Sequence, residues 1–241
     1  MRSVNDDRET YCRDVESYLC RKNDGHLVRI VGPAFEQVCG WAARGVPLKV
    51  VCRGIDRYFE RYYAKGPRRR PVRIEFCEAD VLDVFDQWRR AVGVGAAASA
   101  AGISGDDGGK EVRPRASLPA HLERVVARLT ALRAGDERGW LDGAIDASVR
   151  ELDAARAGAK SLRGERREAL VTRLRELDRR LVEAARAGCD PAVVARLRDE
   201  ADEQLGAFRP RMTEEAYRQS QQACIDRLIR DYFKLPMITF E

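Results

Sequence analysis

No apolar stretch in the 241 residues approaches the roughly 20 residues that a membrane-spanning helix needs. The N-terminus, Met1-Arg-Ser-Val-Asn-Asp-Asp-Arg-Glu-Thr10, is polar and has no apolar core of the signal type. The expectation is a cytoplasmic chain with no membrane partner. Histidine is nearly missing. His26 and His121 are the only two, and neither sits in the carboxylate or cysteine pattern of a general base, a triad or a metal site. His121, early in a helix beside Leu122, reads as a surface residue. No G-x-x-x-x-G-K-[ST] or G-x-G-x-x-G sequence opens a helix, which excludes the two commonest phosphate-cradling loops. The chain is therefore read as non-enzymatic and without a cofactor.

Cysteine is present but unpatterned. The seven, at 12, 20, 39, 52, 77, 189 and 224, are odd in number and include no C-x-x-C pair, so neither a disulfide framework nor a zinc ribbon is indicated. Reduced, mostly buried thiols are expected, and no metal site, although five of the seven precede residue 78 with His26 nearby. Lysine is scarce too: six of the 44 basic residues. Arginine suits bidentate phosphate contacts, but it equally reflects the Ala-, Arg- and Gly-rich usage of the whole chain. The net charge of +5 is a small difference between 44 basic and 39 acidic residues and says little by itself about a partner.

What is present is helical patterning, broken once. Residues 94–116 gather small residues and clustered glycine, Gly93-Val-Gly-Ala-Ala-Ala-Ser-Ala-Ala-Gly102 running into Ser104-Gly-Asp-Asp-Gly-Gly109. Such a segment buries too little area to offset its ordering entropy and reads as a flexible linker. It separates residues 1–93 from residues 117–241. The first part holds 18 Lys/Arg against 14 Asp/Glu, a net of +4, and residues 119–241 hold 23 against 22, so the positive excess is N-terminal.

In the first part, Tyr11, Val15, Tyr18 and Leu19 at helical spacing predict an amphipathic helix over Asp7 to Arg21. A short extended piece follows at His26-Leu-Val-Arg-Ile-Val31. Gly32-Pro33 stops it and starts a second helix, which runs to about Arg44. Gly45 is a C-cap and Pro47 opens the third helix. On that helix Val50, Val51, Ile55, Tyr58, Phe59 and Tyr62 make one apolar stripe. The opposite face carries Lys49, Arg53, Arg57 and Arg61, spaced by four, and leads into Lys65 and Arg68, Arg69 and Arg70. Two helices joined by a glycine turn have the layout of a helix-turn-helix, and the basic row with its loop is the candidate nucleic-acid-binding surface. A solvated face with Asp56 and Glu60 interleaved gives the same pattern. Asp80, Asp83 and Asp86 lie on a following helix. Carboxylates at that spacing can hold Mg²⁺, but with no second cluster they read as a solvent face.

Val38 and Trp41, a glycine turn, Val50-Val51 and Gly54-Ile55 on the next helix, a loop, then Val81-Leu82 and Trp88 give residues 33–90 a pattern that resembles the helical domain of DnaD-type primosomal proteins. That resemblance implies DNA binding in a replication-initiation setting. The Y-x-x-x-I-R stretch that follows the last helix in that family has no counterpart after Trp88.

The second part is patterned as five helices. The inward residues expected are Leu122, Val125, Val126, Leu129 and Leu132; Trp140, Leu141, Ile145, Val149 and Leu152; Leu162, Leu170, Leu174, Leu177 and Leu181; Val194, Leu197 and Leu205; and Tyr217, Cys224, Leu228 and Ile229. Short turns between them predict an antiparallel bundle. Its Arg/Glu-rich surface suits assembly, with a homodimer or another protein as the partner. The last stretch, Tyr232-Phe-Lys-Leu-Pro-Met-Ile-Thr-Phe-Glu241, is expected to tuck back onto the bundle. The expected architecture is thus all-α: a small helix-turn-helix-like module, a linker and a helical bundle. The expected role is a nucleic-acid-binding accessory protein, with a self-associating scaffold as the alternative.

Overall fold

A computed structural model describes residues 4–64, 66, 71–94, 117–133, 139–159 and 162–240. The linker reading of 94–116 falls almost wholly outside these residues, as do Lys65, Arg68, Arg69 and Arg70. Among the described residues there are nine α-helices, two short 3-10 helices and no strand, so the chain is all-α. They fall into two compact units: residues 1–103 with 204–220, and residues 104–203 with 221–241.

The first unit is built on α1 (Val4–Lys22), α2 (Pro33–Ala43), α3 (Leu48–Tyr63) and α4 (Glu78–Ala91), with a 3-10 turn, Ile74–Cys77, leading into α4. Its turns follow from glycine and proline. Gly45 at φ 75° ends α2: its N–H bonds the Ala42 carbonyl and the next N–H, of Val46, reaches back to Trp41, the paired bonds of a Schellman cap. Pro47, extended at φ −62° and ψ 142°, then admits α3. Val15, Leu19, Val38, Trp41, Val51, Ile55, Val81, Phe85 and Trp88 close the core between these helices, each at most 2% exposed. Around that core, polar side chains tie loops to helices. Asn23, buried, receives the Val72 N–H on its carbonyl oxygen at 2.7 Å and donates to the Leu19 and Val72 carbonyls at 3.0 Å. The Tyr11 hydroxyl donates to the Val46 carbonyl at 2.8 Å.

Helices α3 and α4 approach closely enough for their backbones to touch. A Cβ placed on Gly54 would lie 2.5 Å from the Val81 Cα and 2.6 Å from its Cγ2. Only hydrogen fits there.

Residues 204–220, assigned from sequence to the C-terminal part, pack with the first unit. Phe208 lies 5.7 Å from the Trp88 ring and 6.4 Å from the Phe85 ring, and the Trp88 indole N–H donates to Gln204 Oε1 at 3.1 Å. Aromatic burial, invisible in helical periodicity, recruits the segment. Trp88, read as the end of the basic module, is thus a junction with chain more than a hundred residues away.

The second unit comprises α5 (Leu118–Arg133), α6 (Gly139–Gly158), α7 (Gly164–Ala187), most of α8 (Pro191–Leu205), and the second half of α9 (Glu214–Phe233). Leu122, Leu129, Leu141, Ile145, Leu152, Leu174 and Leu181, all expected inward, are its largest fully buried side chains, whereas Val126, Leu132, Val149, Leu162, Leu170 and Val194 of the expected stripes are half-buried. Trp140 departs from expectation. It is 46% exposed, because its ring lies over Gly188 at the end of α7 and meets Phe233 edge-on at 5.5 Å, instead of entering the core. The C-terminal stretch docks on its own unit: Leu235, Pro236 and Ile238 are buried, and the Ile238 N–H donates to Asp178 Oδ1 at 2.9 Å. Asp178, itself 6% exposed, also holds Arg230 through both carboxylate oxygens.

Gly54→Ala tests the α3–α4 contact by its sign. At an open helix position the change stabilises by about 1 kcal/mol. Here overpacking costs about 1–3 kcal/mol, so chemical denaturation should show a less stable protein; equal or greater stability would remove the close-contact account.

Candidate nucleic-acid interface

The basic row lies on α3 as the period of four requires, but the structure divides it. Lys49 is exposed and Arg53 half-buried near the start of the helix. Arg57 and Arg61, one and two turns further on, turn toward α4. The Arg57 guanidinium reaches Asp83 at 2.5 Å and Asp80 at 3.5 Å, and Arg61 pairs with the other Asp80 oxygen. Two of the four arginine and lysine side chains in the row therefore hold helices together.

Asp80 corrects the reading of the acidic triplet as a solvent face. Its side chain is 6% exposed, buried beneath two guanidiniums, whereas Asp83 is 46% exposed and Asp86 pairs with Arg89 at 2.8 Å on the surface. The signal was available in the spacing: position 80 falls in line with Val84 and Trp88 on the buried face of α4. A carboxylate there must be paired, because a lone buried charge is costly.

The acids interleaved on α3 are employed as well. Asp56 accepts the Tyr18 hydroxyl at 2.8 and 2.9 Å and lies 2.6 Å from the Lys22 ammonium, which joins α3 to α1. Burial and this bond to Asp56 together push the Tyr18 phenol well above the usual tyrosine range. Toward the end of α3, Tyr58 and Tyr62 stack at 5.7 Å with the Arg61 guanidinium 5.8 Å from the Tyr58 ring, and Tyr63 is 45% exposed. The stripe is therefore aromatic at this end, with Phe59 buried and Tyr58 and Tyr62 half-buried.

Burial and hydrogen bonding engage several of the cysteines and one of the histidines. Burial pushes the Cys77 thiol up to about 12 and those of Cys12, Cys52 and Cys224 up to about 11, so all four stay protonated and weakly nucleophilic at neutral pH. All seven cysteines are free thiols; Cys12, Cys77 and Cys224 are fully buried and the other four half-buried. Among the described residues no group of three or more His, Cys, Asp and Glu is placed to hold a metal ion. His121 is not a plain surface residue: its Nε2 lies 3.1 Å from the Ile238 carbonyl and its ring 5.4 Å from Phe240, so it clasps the C-terminal stretch. His26 is exposed, with Nδ1 2.8 Å from the Asn23 carbonyl.

The fold and this surface define an all-α protein, none of whose described helices is long and apolar enough to cross a membrane. No family model, curated protein or solved structure matches the chain.

Asp80→Asn should lower stability by about 2–3 kcal/mol, since Arg57 and Arg61 lose the buried charge they share. Paired denaturation curves of the wild type and the variant read this directly. A change within about 0.5 kcal/mol, the scale of ordinary surface substitutions, would return Asp80 to the solvent face.

Proposed function

We propose that the chain is a non-enzymatic, nucleic-acid-binding accessory protein in the replication setting that the DnaD-like spacing implies. Its phosphate contacts fall to Lys49, Arg53, Lys65, Arg68, Arg69 and Arg70. Arg57 and Arg61 position α3 on α4. The observation that carries the reading is the net positive charge of the N-terminal residues. Residues 1–93 hold 18 Lys/Arg against 14 Asp/Glu, and ion pairing inside the fold leaves that excess of +4 unchanged. Of the residues behind the DnaD-like pattern, Val38, Trp41, Val50, Val51, Gly54, Ile55, Val81 and Trp88 are buried and Leu82 is half-buried. Their burial gives them a packing role in this chain and speaks for no surface.

Electrophoretic shifts of the full chain on single- and double-stranded DNA test the proposal. Affinity should drop steeply between about 50 and 200 mM salt as counterions re-condense. Replacing Arg68, Arg69 and Arg70 together by Ala should flatten the log–log salt slope by about 3, one for each phosphate no longer neutralised. Absence of binding at about 50 mM salt, or binding indifferent to salt, would sink the reading.

Self-association is the second reading, and one observation favours it. Trp140 and Tyr232, 46% and 45% exposed, both meet the Phe233 ring, at 5.5 and 4.9 Å, and so form one exposed aromatic patch on the second unit. Large exposed aromatics gathered in one place mark contact surfaces. Light scattering of the full chain should give a mass above the monomer that returns to the monomer in the Trp140→Ser, Tyr232→Ser double variant; a monomeric wild type disposes of the idea.

A further inference from the structure

Residues 26–31 lie between Gly25 at φ 80° and Gly32 at φ 59°, and two bonds show how the segment runs. The Val28 N–H donates to Cys20 Sγ at 3.3 Å and the Ile30 N–H to Glu16 Oε2 at 2.7 Å. Going back four residues along a helix covers about 6 Å, and going forward two residues of extended chain covers about 6.6 Å. The segment is therefore extended and antiparallel to α1, with every second amide turned to the helix. In extended chain the alternate amides face the other way. Those of Leu27, Arg29 and Val31 have no hydrogen-bond partner among the described residues. Side-chain burial repeats the period of two: Leu27 is 78% and Val31 62% exposed, Arg29 is exposed, and Ile30 is 4% exposed.

We propose that residues 27–31 are an open strand edge that takes an extended peptide of a partner protein, with an acidic side chain opposite Arg29 and apolar side chains on either side. Backbone bonds to the three outward amides and their carbonyls supply affinity, and alternate side chains supply selectivity. The edge is already set, because Asn23 clamps the turn before it to Val72, so binding requires little further ordering. Charge selects the occupant. A second copy paired about a two-fold axis at Arg29 would set two guanidiniums directly opposite each other, which is unfavourable, whereas a carboxylate in that place is attracted. A single charge flanked by apolar residues thus guards the edge against self-pairing while admitting an acidic strand.

The test uses the full chain and a fluorescein-labelled acetyl-Thr-Val-Glu-Val-Thr-amide. Two further peptides carry Lys in the central place or N-methyl groups on alternate amides. Fluorescence anisotropy should show binding of the Glu peptide, about tenfold weaker binding of the Lys peptide, and none of the N-methylated one. Arg29→Glu, a surface change that should leave helical circular dichroism unaltered, should reverse the order of the Glu and Lys peptides. Hydrogen exchange at the Leu27, Arg29 and Val31 amides should slow in the complex. The proposal is overturned if the Glu peptide does not bind, if N-methylation is without effect, or if the three amides exchange unchanged. It is also overturned if exchange at these amides slows with protein concentration alone, which would make a second copy the occupant.

Discussion

Gly54 and Val81 set the distance between α3 and α4, and the polar arrangement of the first unit depends on that distance. With no side chain on Gly54, the two backbones close to a separation at which even a methyl group would meet the Val81 Cα at 2.5 Å. Asp80, the residue before Val81, is thereby carried beneath α3 into reach of Arg57 and Arg61. A wider spacing would leave that carboxylate buried without a partner, a state that costs several kcal/mol. The glycine and the ion pair are two parts of one design: apolar closeness makes the charge pairing possible, and the pairing fixes the register of the two helices.

The second unit repeats the principle with different means. Asp178 lies inside the Leu174, Leu177 and Leu181 stripe of α7, and its two oxygens serve Arg230 of α9 and the Ile238 amide of the C-terminal stretch. His121 on α5 reaches the Ile238 carbonyl next to it. A buried carboxylate with its hydrogen bonds satisfied specifies one arrangement of three chain segments, where leucines alone would accept several. The apolar terminus is thereby part of the bundle core.

These pairings also alter what a basic helix face means. Four cations spaced by four on α3 look alike in sequence, yet Arg57 and Arg61, toward the end of the helix, pair with acids of α4. In the proposed role, phosphate contacts at Arg57 and Arg61 would compete with these pairs. The same distinction applies to the aromatics. Trp88 and Phe85 are consumed by Phe208, whereas Trp140 and Tyr232 stay half exposed.

Much of the fold was legible because it rests on local rules. Helical spacing at Val15 and Leu19, the cap at Gly45, the opening at Gly32-Pro33 and the leucine stripes of the second unit all follow from periodicity and backbone preference, and the structure has each of them. The candidate site was legible only as a set of cations on one face. What each cation does could not be read, since the deciding partners lie 19 to 26 residues away, at Asp80 and Asp83. The placement of Phe208 on Trp88, the half-exposed Trp140 and the bond from His121 to Ile238 are of the same kind. The sequence by itself determined the all-α class, the element order and the position of the positive excess, because these depend on neighbours a few residues apart. Tertiary structure alone decided which charges are buried and paired and which amides of residues 26–31 face outward, because burial is set by segments that meet only when the chain has folded.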